Sequence, residues 1–197
     1  MSSPSLWNLP NILTVLRIVC IPVLVLMAYS GYEWRYPACA VIFSLAAITD
    51  WFDGYLARKW NQTSAFGRFL DPVADKLMVA AALIVLVEWH ATGLLVVPAI
   101  VIVAREITIS ALREWMAEIG KRASVAGSYI GKLKTFAQMT AIVGLLAHKP
   151  VLDASGRLVF DWVDIVAYGL LYLAVILTLW SMMIYLRAAW PDLRKTD

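Results

Sequence analysis

Apolar residues gather in six blocks, near positions 11–31, 36–57, 69–89, 93–116, 129–148 and 163–188, separated by short polar connections. Crossing about 30 Å of hydrocarbon takes roughly 20 helical residues, so the pattern predicts an all-α integral membrane protein with six transmembrane helices. The length suits one membrane domain over 1–197, with 1–10 (MSSPSLWNLP) as an interfacial segment before the first helix. Pro98 falls inside the fourth block, where a membrane helix kinks or tolerates it. The stretch HKPVLDASGRLVFD, 148–161, reads as an exposed, hairpin-like connection.

Most blocks lose their charge-free character at one end. The uncharged parts are Ile18–Tyr32, Tyr36–Thr49, Leu77–Val87, Trp89–Ala104 and Thr135–Ala147, and only Ile165–Leu186 crosses without help. Charges enter at the start of the first, third and fifth blocks and at the end of the second and fourth. In an up-and-down bundle those ends share a side. The shortest uncharged run, Leu77–Val87, covers only about 17 Å at 1.5 Å per residue, so ionisable groups reach into the membrane from that side. Such groups are costly unless they face a bundle interior or a wet cavity. The pattern therefore predicts a polar cavity open to one face. Fourteen of the 17 Lys and Arg residues fall on that side, against Arg35, Lys149 and Arg157 opposite, which places the cavity and both termini in the cytoplasm. Trp34, Trp89 and Trp162 mark the far interface, and Trp7, Trp60, Trp115 and Trp190 the near one.

Composition reinforces the membrane reading. The chain is 61% hydrophobic and 16% charged, where a soluble domain carries about 25% charge. A formal charge of +3 is too small to argue for nucleic acid, and no such partner is expected. Cys20 and Cys39 lie in apolar stretches without metal-ligand spacing and read as packing residues. The N-terminus lacks the basic region and small-residue cleavage site of a secretory signal peptide. His90 and His148 fall at the far interface and are expected to face solvent.

Four carboxylates break this pattern, in DWFDGYLARKWNQTSAFGRFLDPVADK, residues 50–76. Helical residues three or four apart share a face, so Asp50 projects with Asp53, and Asp71 with Asp75. The connection between the two helices is short, which makes them antiparallel neighbours with the pairs facing. Four unpartnered carboxylates would repel strongly at low dielectric. Salt bridges to Arg58, Arg68 and Lys76 are one remedy. Divalent metal is the sharper one: hard oxygen ligands without nearby His or Cys select Mg²⁺, Mn²⁺ or Ca²⁺ over zinc. Such a set can hold two cations about 3.5–4 Å apart, an arrangement that clamps phosphoryl oxygens. Gly54 and Ala57 leave room for a bulky group, and Arg58 can fork two oxygens. A divalent-cation transporter is a rival reading. It requires polar residues continuing to the opposite face, and the second, third and fifth blocks lack them.

Residues 50–75 read D-x2-D-G-x2-A-R-x8-G-x3-D-x3-D, filled by Asp50, Asp53, Gly54, Ala57, Arg58, Gly67, Asp71 and Asp75. This resembles the signature of the CDP-alcohol phosphotransferase family. The stretches LPNILTVLRI, ITDWFDGYLARKWNQTS, AREITISALREWMAEIGKR and GKLKTFAQM extend the resemblance over nearly the whole chain. The resemblance implies a transferase of phospholipid biosynthesis in a bacterial inner membrane, working as a homodimer with two Mg²⁺ or Mn²⁺ ions. It implies that the metals bind the pyrophosphate of CDP-diacylglycerol, that CMP leaves, and that glycerol 3-phosphate accepts the phosphatidyl group. Asp50, Asp53 and Asp71 would be metal ligands, with Asp75 the general base and a shared ligand. Nucleotide contacts would map to Gly54, Ala57, Arg58, Ser64 and Gly67, with Asn11 and Thr14 nearby.

A second cationic group comprises Arg105 and Arg113 at the end of the fourth block, and Lys132, Lys134 and Thr135 at the start of the fifth. An ordinary positive-inside flank explains part of it. Arg105, however, lies two turns inward of Arg113, deeper than a flank requires, and a doubly anionic acceptor needs such a pocket. The family resemblance points to the same residues. Lys132 and Lys134 are two apart and do not share a helix face, so one lines the cavity. Gln138 and Glu106 are candidates for orienting the pocket. Sibling acceptors remain open here. Serine carries no phosphate and has no use for the deep arginine, whereas inositol phosphate also wants cations; phosphatidylglycerol is a third.

Overall fold

A computed structural model describes residues 9–59, 65–120, 129–155 and 157–194. The side chains at 9, 10, 51, 53–59, 65, 68, 129, 130 and 132 lie outside that description. The described residues form six helices: α1 (Leu9–Ala28), α2 (Arg35–Lys59), α3 (Ala65–His90), α4 (Gly93–Glu118), α5 (Tyr129–Ala147) and α6 (Trp162–Leu193). Each coincides with one apolar block. Three of them, α1, α4 and α6, are long and apolar enough to cross a membrane by length and composition, and α5 carries a shorter apolar stretch, Leu133–Ala147. The protein is thus a helical membrane protein. The interfacial segment expected at 1–10 lies almost wholly outside the described residues.

Helix ends follow local chemistry. Asp161 caps α6: its carboxylate accepts the Asp164 backbone N–H at 3.0 Å, and the Asp164 carboxylate accepts the Asp161 N–H at 3.4 Å. This reciprocal box satisfies donors that a helix start otherwise leaves open. At the end of α4, Gly120 takes φ +71°, which costs glycine nothing, and its N–H reaches the Ala117 carbonyl. Pro98 lies inside α4 without ending it. Pro72 lies inside α3 directly after Asp71; lacking an N–H, it removes one intrahelical bond beside that carboxylate.

The chain divides into two compact units, Met1–His90 with Val143–Val159, and Ala91–Ile142 with Phe160–Asp197. In the first, α1 packs against α2 and α3, and α2 also meets α3. Its core is aliphatic and aromatic: Leu24, Cys39, Phe43, Leu83 and Leu86 are all at most 1% exposed. Cys39 fills space there as expected, while Cys20 is half-buried; neither forms a disulfide. Tyr36 meets Trp89 edge-on, with the Arg35 guanidinium over both rings. In the second unit α4 packs against α6, around Leu95, Ile102, Ile109 and Leu171.

The connection after α5 is the exposed hairpin that the sequence predicts. Val151 pairs with Val159 and Leu152 with Leu158, antiparallel. Asp153 closes the turn by accepting the backbone N–H groups of Ser155 and Arg157 and the Ser155 hydroxyl, which hold its carboxyl below the ordinary aspartate range. A Lys149–Glu33 ion pair ties the hairpin base to the α1–α2 connection, and that bond lowers the Glu33 pKa. His90 departs from expectation: it is 1% exposed, covered by protein rather than water.

Leu86 and Leu26 make a packing test. Leu86→Ala opens a cavity in the first unit and should cost on the order of 2–5 kcal/mol in unfolding measurements. Leu26, 74% exposed and facing the lipid position, should tolerate the same change with a far smaller loss of Tm. Equal losses would contradict this assignment of inner and outer faces.

Candidate active site

In the first unit the site begins with a polar stripe on α1. Asn11, Thr14 and Arg17 are spaced by three, share a helix face and are 3%, 1% and 2% exposed. Further along, the buried positions are apolar Leu24 and Ala28. The inward face of α1 therefore changes from polar to apolar along its length.

Two carboxylates from two other helices meet that stripe. Arg17 Nη1 lies 2.6 Å from Asp50 Oδ1 on α2 in an ion pair, and Thr14 Oγ1 donates to Asp71 Oδ1 on α3 at 2.5 Å. Neighbouring positions of one helix thereby orient acidic groups of two others. A buried guanidinium without a counterion costs several kcal/mol, so Asp50 offsets a charge that α1 carries into the interior. Asp50 keeps 46% of its side chain exposed while Arg17 keeps 1%, so one end of the pair is locked and the other is accessible. Asp75 lies one turn further along α3 from Asp71, and both are half-buried. Gly67 is buried near the start of α3.

Asp53, Gly54, Ala57 and Arg58 lie on α2, but their side chains are outside the described residues, as is Ser64 entirely. Of the predicted acidic and nucleotide-contacting positions, the structure joins Asp50 and Asp71 through α1. Arg17 is the residue whose role sequence reasoning did not assign; it counted only among the charges that enter at the start of the first block. The available signal was its register: it continues the face of Asn11 and Thr14 inside an otherwise apolar helix.

The second unit holds a buried polar network of opposite sign. Arg105 on α4 is 9% exposed and Lys134 on α5 is 5% exposed. Both donate to a single oxygen, Glu106 Oε1, from Arg105 Nη1 at 2.8 Å and Lys134 Nζ at 2.7 Å. Arg105 Nη2 also donates to Ser181 Oγ on α6 at 3.0 Å, and that hydroxyl donates to the Thr178 carbonyl at 2.9 Å. Gln138, one turn beyond Lys134, is 5% exposed. Arg113 is exposed and rests on α6: Nη2 donates to the Tyr185 hydroxyl at 2.7 Å, with the guanidinium 5.0 Å from the ring centroid. Thr135 sits on the exposed side of α5 with its hydroxyl bonded to the Gly131 carbonyl, apart from this network. The Lys132 side chain lies outside the described residues. Ser181 and Tyr185 were not singled out from the sequence; their spacing of four, with Thr178 three before Ser181, was the available signal on an apolar helix.

Chemically, the first unit offers hard oxygen donors with some carboxylates already oriented, and the second offers buried cations with one shared counterion. The first suits a divalent metal, the second an anion. Arg17→Met and Asp50→Asn should couple in a double-mutant cycle of thermal unfolding by about 0.5–3 kcal/mol. Additive losses would mean the 2.6 Å pair contributes nothing.

Comparison with known proteins agrees with this chemistry. A family model described as CDP-alcohol phosphatidyltransferase matches residues 7–180. The chain is 53% identical over 186 residues to a CDP-diacylglycerol–glycerol-3-phosphate 3-phosphatidyltransferase of Yersinia pestis, covering 94% of this chain and 97% of that protein. The Yersinia enterocolitica protein of the same name shows the same identity and coverage. The one from Shigella flexneri is 50% identical over 187 residues, covering 95% of this chain and 97% of its own.

Proposed function

The chain belongs to the CDP-alcohol phosphatidyltransferase family, and on that premise we propose that it transfers the phosphatidyl group of CDP-diacylglycerol to glycerol 3-phosphate. The products are phosphatidylglycerophosphate and CMP, a step in making anionic phospholipid. The observation that carries this reading is the identity of 50–53% over nearly the whole length to transferases bearing that name.

The site residues of the proposal divide between metal and nucleotide on one side and acceptor on the other. The carboxylates fit divalent cations: they are hard donors, Thr14 and Arg17 orient two of them, and Asp50 stays accessible. Two ions, Mg²⁺ or Mn²⁺, held by Asp50, Asp53, Asp71 and Asp75, would supply charge neutralisation of the pyrophosphate and stabilise departing CMP. Asn11, Thr14, Gly54, Ala57, Arg58, Ser64 and Gly67 bind the cytidine diphosphate part, with Arg58 forking phosphate oxygens. Arg105, Arg113, Lys132, Lys134 and Thr135 bind the acceptor phosphate. Asp75 takes the proton of the acceptor hydroxyl as its oxygen attacks the phosphorus bearing the diacylglycerol, and the bond to CMP breaks. A single domain of six spans, a cavity open to the cytoplasm with both termini on that side, an inner-membrane location and a homodimer complete the proposal. The spans rest on the apolar blocks, the cavity and the placement of the termini on their charge pattern, and the last two on the family resemblance.

The direct test is purified protein with CDP-diacylglycerol, a divalent cation and a panel of acceptors, measuring CMP release. Glycerol 3-phosphate should support release while serine, inositol phosphate and phosphatidylglycerol should not; release with another acceptor alone would overturn the substrate assignment.

Two variants separate roles within it. Lys134→Ala should raise the KM for glycerol 3-phosphate far more than that for CDP-diacylglycerol, and equal effects would assign the residue to folding. Asp75→Asn should lower kcat by about 10²–10⁴ while keeping most metal affinity. If excess Mg²⁺ restores its activity, Asp75 is chiefly a ligand.

A further inference from the structure

The acceptor cluster contains one group that the proposed reaction does not use. Glu106 places a single oxygen, Oε1, where the Arg105 and Lys134 donors cross, at 2.8 and 2.7 Å. An oxygen that accepts from both cations stands where a phosphate oxygen of the acceptor would. The two cations are nearly buried while the Glu106 side chain is 27% exposed, so the carboxylate has a route to water that its partners lack. Two like charges buried together need a counterion at all times, and removing it leaves an uncompensated charge at high cost. Arg105 stays anchored without Glu106, because its other terminal nitrogen donates to Ser181.

We propose that Glu106 determines specificity for acceptor charge: it is the resident counterion of Arg105 and Lys134, and only an acceptor bearing a phosphate dianion displaces it. The inference rests on the acceptor-pocket reading above. Its physical basis is a comparison of charges. A tethered carboxylate competes at an effective concentration of order millimolar or higher. A monoanion replacing it is an even exchange of one charge for one, and loses to the tether. A dianion adds one further unit of attraction to two poorly hydrated cations, and wins. Uncharged or zwitterionic acceptors leave Glu106 in place. Discrimination against acceptors without phosphate thus comes from an internal competitor as well as from the cations themselves.

Thermal unfolding of the purified full-length protein tests this without turnover, using glycerol 3-phosphate as the dianion and glycerate as the monoanion, with no CDP-diacylglycerol present. Wild type should be stabilised by glycerol 3-phosphate and not by glycerate. Glu106→Gln should have a lower Tm in anion-free buffer, should gain response to glycerate, and should bind glycerol 3-phosphate about tenfold or more tightly. Unchanged or weaker binding of both anions by Glu106→Gln, with wild type responding normally, would overturn the inference while leaving the acceptor pocket intact. Absence of any response in wild type, with Arg105→Ala leaving the KM for glycerol 3-phosphate unchanged, would overturn the pocket reading itself. Should Glu106→Gln fail to fold, the double variant Glu106→Gln with Lys134→Gln restores charge balance. That variant should recover Tm yet respond to neither anion; a Tm no better than the single variant would count against the counterion role.

Discussion

A charge carried into hydrocarbon needs a fixed partner, and that constraint organises this protein. The Arg17–Asp50 ion pair is its clearest instance: a guanidinium 1% exposed inside an apolar helix, held at 2.6 Å to a carboxylate of the next helix. One turn before, Thr14 does for Asp71 what Arg17 does for Asp50. Packing α1 against both α2 and α3 is then more than burial of aliphatic surface. The same contact that closes the hydrophobic half of the unit at Leu24 and Ala28 orients acidic groups in its polar half.

The second unit solves the same problem with the sign reversed. Two buried cations share one carboxylate oxygen, and a serine hydroxyl on α6 takes the remaining arginine donor. Well-packed apolar residues would serve stability as well as either network does. On the reading proposed above, the carboxylates of the first unit would hold divalent cations that neutralise a pyrophosphate, and the cations of the second would meet a phosphate monoester.

Much of this was legible in the sequence, for reasons that differ by residue. Hydropathy placed all six helices, because the cost of unpaired backbone in lipid leaves few alternatives to a helix wherever 20 apolar residues run together. In α3, Asp71, Asp75 and Lys76 gather at one end of the helix, as the charge pattern indicated. The spacing of Asp50 with Asp53 and of Asp71 with Asp75 was readable because a helix has a fixed period. What Arg17 pairs with was not, since the pair joins positions 33 apart and exists only once two helices pack. Hydropathy gives a residue's depth but not its facing, which is why His90 looked like a solvent-facing residue and is covered instead. Lys134 and Thr135 show the same limit at shorter range: adjacent in sequence, they point about 100° apart on a helix, and only the lysine joins the buried network.

If α1 orients the carboxylates for divalent metal, as proposed above, Mn²⁺ affinity depends on the Thr14 hydroxyl. Mn²⁺ titration of the purified protein, followed by electron paramagnetic resonance, measures this directly in wild type, Asp71→Asn and Thr14→Val. The last removes only the hydroxyl that orients Asp71, at nearly constant volume. Loss of such an orienting group typically weakens a metal about 10–100-fold. The account predicts that Thr14→Val weakens Mn²⁺ within that range while Asp71→Asn weakens it further. Wild-type affinity in Thr14→Val, alongside a large loss in Asp71→Asn, would contradict it.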